Sequence, residues 1–197
     1  VNRKYLSAAI AAAFMAPSAA MAHADIDHTG FVYGLEHPFS VLDHVLAMGL
    51  TGVLAFQLGG RALLAIPASF ILLLAVGGAL GFAGVDVPFV ETAIALSVVV
   101  LGAAVAFGIK APVAAFVALA GLLAIFHGQT HGAEMQASVS IAGYATGFLI
   151  ATALLHAGGV LTGFVLAKIG AREGDVLVRA SGCAAAVAGI AILASVL

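Results

Sequence analysis

From residue 39 onward the chain is made of six apolar stretches, 39–58, 62–83, 88–109, 111–126, 139–167 and 176–197, joined by short turns. A helix needs roughly 20 apolar residues to cross the hydrocarbon core of a bilayer. In that medium every backbone polar group has to be satisfied inside the protein, which leaves helices and closed barrels as spanning structures. Long uniform runs of this kind suit helices. The chain is 63% hydrophobic and 8% charged, with mean hydropathy +1.21, whereas a soluble domain carries about 25% charged residues. The expected fold is therefore all-α, a polytopic membrane protein with a six-transmembrane-helix bundle. The fourth stretch is short unless its helix continues through residues 127–132.

The first residues read differently. Arg3 and Lys4 form a basic region, residues 6–14 an apolar one interrupted downstream by Pro17, and Ala20-Met21-Ala22 a small-x-small pattern. Together these resemble a cleavable signal peptide over residues 1–22. Residues 23–38 are then expected to be a short periplasmic segment, and 39–197 the membrane domain. The remaining basic residues are Arg61, Lys110, Lys168, Arg172 and Arg179. All fall at alternate connections, so the positive-inside rule makes that side cytoplasmic. An even number of spans puts both mature termini in the periplasm, with the protein in the bacterial inner membrane. Cleavage after Ala22 requires the same orientation for the N-terminus.

A net charge of −2 argues against nucleic acid as a partner. The one cysteine, Cys183, provides neither a disulfide framework nor a thiolate cluster. Its Ala/Gly-rich surroundings predict a buried, inert thiol. Gly143-x-x-x-Gly147 and Gly159-x-x-x-Gly163 allow close helix approach in a compact bundle and do not mark a dimer face; a homo-oligomer is compatible with such a bundle. There is no G-x-x-x-x-G-K-[ST] loop for ATP.

Two stretches carry the chemistry. One is His37-Pro38-Phe39-Ser40-Val41-Leu42-Asp43-His44, with Met48 a turn beyond; the other is Phe126-His127-Gly128-Gln129-Thr130-His131-Gly132-Ala133-Glu134. Ionisable groups in hydrocarbon are costly and mark ion pathways or sites. Imidazole and carboxylate together suit borderline divalent cations. The first span runs inward and the fourth outward, so Asp43 and His44 share a depth with His127 and His131, roughly 6–9 Å below the outer surface. His127, His131 and Glu134 stack on one face of a continued helix. His37 precedes a proline and is expected at the mouth, outside helical geometry. Met48 is either a weak ligand or a packing residue. Gly128 and Gly132 suit either close helix approach or a locally unwound segment. His156 reads as a hydrogen-bonded residue between helices, Glu91 as an interfacial charge, and Gln57 as a polar residue at the cytoplasmic end.

At these motifs the chain resembles the HupE/UreJ family of small membrane proteins linked to hydrogenase and urease maturation. His37, Pro38, Asp43, His44 and Met48 match the first family motif; Phe126, His127, Gly128, His131, Gly132 and Glu134 match the second. The chain departs at Val41, where a small residue, usually glycine, is expected, and at Gln129-Thr130, where relatives often have a further histidine. The resemblance implies a permease that passes Ni²⁺, or Co²⁺, into the cytoplasm as substrate, with no permanently bound cofactor. His37 would capture the ion, and His44, His127 and His131 would coordinate it, with Asp43 favouring the dication in low dielectric. The residues alone fit a second reading, an intramembrane zinc hydrolase. Cleavage at Ala22 would also pair the new α-amine with the His23 imidazole, and with His28 nearby could gather cation for His37; a plain mobile terminus is the alternative.

Overall fold

The structure, a computed structural model, describes residues 30–135 and 140–197. The signal peptide expected over residues 1–22, and His23 and His28, lie outside the described residues. Among those described there are seven α-helices and no strand: α1 Gly30–Ser40, α2 Leu42–Leu58, α3 Ala62–Phe82, α4 Val90–Phe107, α5 Val113–Ala133, α6 Ile141–Ala167 and α7 Ala171–Val196. Helices α3 to α7 are each long and apolar enough to cross a bilayer, and α1 with α2 forms a further segment bent by 81°. The chain is thus an all-helical, multi-pass membrane protein.

The N-terminal part departs from the expectation. Residues 30–40 are helical, and the helix of the first apolar stretch begins at Leu42, after the bend, instead of at residue 39. His37 therefore sits within a helix, and Pro38 in that helix's last turn. The preference of the residue before proline for extended backbone is overridden by packing. Gly30, Gly34 and Pro38, four residues apart, form the buried stripe of α1, which lies against α6. A Cβ on Gly34 would lie 2.1 Å from the Tyr144 carbonyl oxygen, so only glycine permits this approach. The bend falls at Val41, whose backbone is extended (φ −116°, ψ 121°). A β-branched residue tolerates that conformation well, which accommodates Val41 where a small residue was expected.

Helix α2 is the most deeply buried and touches all six others. Its residues 50–55 are all buried, and Met48 is fully enclosed in the core. The closest seam joins α3 and α5 through interleaved glycines. A Cβ on Gly128 would lie 2.0 Å from Leu74 O, one on Gly132 2.0 Å from Gly78 O, and one on Gly77 2.1 Å from Ile125 O. Helix α5 stays helical through Ala133, so Gly128 and Gly132 serve close approach and not an unwound segment. Gly147 packs against Phe31 of α1, and Gly159 against Gly49 of α2. Small residues let backbones meet where lipid supplies no hydrophobic drive.

Helix α7 buries Gly174, Val178, Gly182, Ala185 and Gly189, mainly against α4. Cys183 lies off this stripe and is exposed. The expectation of a buried thiol is therefore wrong: an apolar neighbourhood in sequence does not distinguish a core face from an outward, lipid-facing one. The antiparallel succession of helices places Arg61, Lys110, Lys168 and Arg172 at the end of the bundle opposite His44 and His131.

The seam has a measurable consequence. Gly128→Val inserts atoms where a backbone carbonyl already sits, and overpacking of this kind costs typically about 1–3 kcal/mol. A lowered unfolding temperature of the detergent-purified variant is expected; an unchanged one would contradict the packing described.

Candidate metal site

Two helix ends bring the polar residues together. Asp43 and His44 occupy the first turn of α2, and His127 and His131 the last two turns of α5. Because Gly128 and Gly132 press α5 onto α3, the histidines one position earlier turn towards α2. His44, His127 and His131 are only 3%, 0% and 4% exposed. Ring centroids are 4.5 Å apart for His44–His131 and 4.7 Å for His44–His127. The shared depth expected from the sequence is thus present as direct contact.

The hydrogen-bond partners decide which nitrogen carries a lone pair. A carboxylate only accepts, so His44 donates from Nδ1 to Asp43 Oδ1. That leaves His44 Nε2 free, and it faces His131 Nε2 at 2.5 Å. Two imidazole nitrogens meet head-on only with a proton or a cation between them. The hydroxyl of Ser97 on α4 donates to Ile94 O at 2.6 Å. Its oxygen therefore accepts from His127 Nε2 at 2.9 Å, and His127 Nδ1 is left unprotonated. His127 Nδ1 and His131 Nδ1 are buried with no partner among the described residues. Fixing the tautomer of a ligating histidine through its other nitrogen is how outer groups orient metal ligands.

Helix α1 adds a second group. The His37 ring lies 4.6 Å from that of His131. Ligand atoms of His37, His131 and Glu134 all lie within 4.8 Å of one another, with His37 half-buried and Glu134 exposed. His131 thus belongs both to this outer group and to the deeper one with His44 and His127. Such a descending series can pass a divalent cation from exposed carboxylate and imidazole to enclosed imidazole.

Several residues of the site carry no motif. Phe148 packs on His131 with centroids 4.3 Å apart, and Phe70 lies 5.8 Å from His127. A cavity of about 270 Å³ adjoins His131, lined by Leu74, Gly78, Phe82, Tyr144 and Phe148 among others. Gln129, in the variable middle of its motif, donates from Nε2 to Val85 O at 3.1 Å and ties the α3–α4 loop to α5. Ser97 could have been noticed as a hydroxyl in an apolar run; the aromatic walls gave no comparable signal. Met48 contributes to the core, which supports its packing role.

Replacing Ser97 with Ala frees the His127 ring to rotate and change tautomer. Loss of a group of this kind typically weakens metal affinity about 10–100-fold. Equilibrium Ni²⁺ binding to the purified variant should weaken by that order, and unchanged affinity would remove Ser97 from the site.

The comparisons with known proteins agree with the motifs. Residues 11–192 match the family described as HupE / UreJ protein. A curated relative, Protein HupE of Rhizobium leguminosarum bv. viciae, is 44% identical over 182 residues, covering 92% of this chain and 94% of the relative. No solved structure matches the chain. With a family match over nearly its full length and two motifs that converge in space, the chain belongs to the HupE/UreJ family.

Proposed function

We propose that this protein is a permease for Ni²⁺, with Co²⁺ as the alternative cargo, carrying the ion from the periplasm through the inner membrane to the cytoplasm for hydrogenase or urease maturation. The observation that carries this reading is the convergence of His44, His127 and His131, with Asp43 behind His44, from two helix ends inside a membrane bundle. Proteins of the HupE/UreJ family are permease-type transporters and not enzymes, which removes the zinc-hydrolase alternative. The basic residues at the opposite end favour a cytoplasmic position there, so the histidine end faces the periplasm.

Capture begins at His37 and Glu134, which the ion reaches while still partly hydrated. His131 then shares it with His44: the one proton between their Nε2 atoms moves to His131 Nδ1, so both Nε2 lone pairs face the ion, and His127 Nδ1 supplies a further lone pair. Asp43 stabilises the arriving charge by holding His44 in the ligating tautomer. The ion is substrate throughout, so the site has to release it again.

Uptake of ⁶³Ni into cells lacking their own nickel importers tests this reading. His44→Ala and His131→Ala should abolish accumulation while the proteins still insert into the membrane. Normal uptake by either well-expressed variant would reject a shared site. Protons compete with the ion for the same lone pairs, so wild-type uptake should fall as the outer solution is acidified. A flat profile would speak against coordination by histidine.

A further inference from the structure

Below the site, on the far side of Phe70, lies a histidine that no motif includes. His156 of α6 is 2% exposed, and among the described residues neither of its ring nitrogens has a hydrogen-bond partner. Its ring stands against Phe70, with centroids 5.0 Å apart, and Phe70 in turn lies 5.8 Å from His127. Phe70 is itself fully buried. Phe70 thus contacts both a histidine of the outer cluster and His156.

The expectation that His156 is a hydrogen-bonded contact between helices does not hold. Buried polar side chains are nearly always bonded, and an unmet imidazole in an apolar core is destabilising. Thr152, four residues earlier on the same helix, donates its hydroxyl proton to Phe148 O at 2.9 Å, so that proton is not offered to a ring nitrogen. As a packing element an aliphatic side chain would serve better here. An imidazole with unmet nitrogens is suited instead to a ligand that is not always present.

Its depth fits such a role. A Cβ on Gly52 of α2 would lie 2.1 Å from His156 O, so the two residues share a level. Gly52 follows His44 by about 12 Å of helix rise, and Gln57 follows Gly52 by a further 7–8 Å or so. Gln57 donates from Nε2 to Val105 O at 3.1 Å, while its Oε1 is buried with no partner among the described residues. Unmet lone pairs therefore recur from the outer cluster through His156 to Gln57, towards the basic end.

We propose that His156 is an inner station for the transported divalent cation, reached from His127 by movement of the Phe70 ring. The proposal rests on the transport reading above and extends it to the inner half of the bundle. An ion at this point has one imidazole where the outer cluster offers three. A weaker inner site favours onward release, since conduction needs binding strong enough to admit an ion and weak enough to let it leave.

Purified wild-type protein, His156→Leu and His156→Ala are compared in liposomes containing a nickel-sensitive dye, with equilibrium Ni²⁺ binding measured on the same preparations. The leucine variant removes an unmet polar group and should unfold at the same temperature as wild type or higher. Both variants should bind Ni²⁺ at the outer cluster as wild type does, yet their uptake rate should fall about tenfold or more through the raised barrier at the inner step. Wild-type uptake by His156→Leu would overturn the proposal. Loss of binding in parallel with uptake would also overturn it, making His156 a positioning residue for the outer cluster. Absence of uptake by the wild type itself would overturn the transport reading and this proposal with it.

Discussion

Hydrocarbon solvates neither an imidazole nor a carboxylate, and the rest of the molecule depends on how that cost is met. A bilayer-spanning chain can carry such groups only where the protein supplies partners or where water and ions enter. Here the partners are specific. Asp43 accepts a hydrogen bond from His44 Nδ1, Ser97 accepts one from His127 Nε2, and His131 is set against His44. Each arrangement meets one ring nitrogen and leaves another with a lone pair. The network that makes the histidines tolerable in the membrane is the same one that leaves His127 Nδ1 and His131 Nδ1 unpaired among the described residues.

Helix packing decides that these groups meet at all. The glycine seam draws α3 and α5 to a distance that any side chain would prevent. Because Gly128 and Gly132 each follow a histidine, the seam also sets the rotation of α5. The small residues of the motif and its histidines therefore act together. The bend at Val41 has a similar effect: it folds α1 across the bundle so that His37 reaches His131, though eleven residues in sequence separate α1's start from the first membrane-crossing helix.

Much of this was legible in the sequence. Apolar length and turn spacing gave the helices, and opposite running directions put His44 and His131 at one depth. The motif histidines were readable because lipid makes every ionisable residue conspicuous. What could not be read was which way a residue faces in an apolar run. Cys183 reads as an inside residue and lies outside; His156 reads as bonded and has no partner among the described residues. Hydropathy does not tell lipid from core, since both are apolar, and it contains no information on partners across helices. The helix at Gly30–Ser40 was missed because the proline rule is local, whereas the packing of Gly34 on Tyr144 is not.

The central claim is that imidazoles from two helix ends hold one ion. X-ray absorption spectroscopy on the purified protein loaded with one equivalent of Ni²⁺ tests it most directly. The account predicts a nitrogen and oxygen shell with strong imidazole multiple scattering from at least two histidines, weakened in His127→Ala, and no sulfur neighbour. A shell of oxygen alone, or imidazole scattering unaffected by loss of His44, His127 or His131, would contradict it.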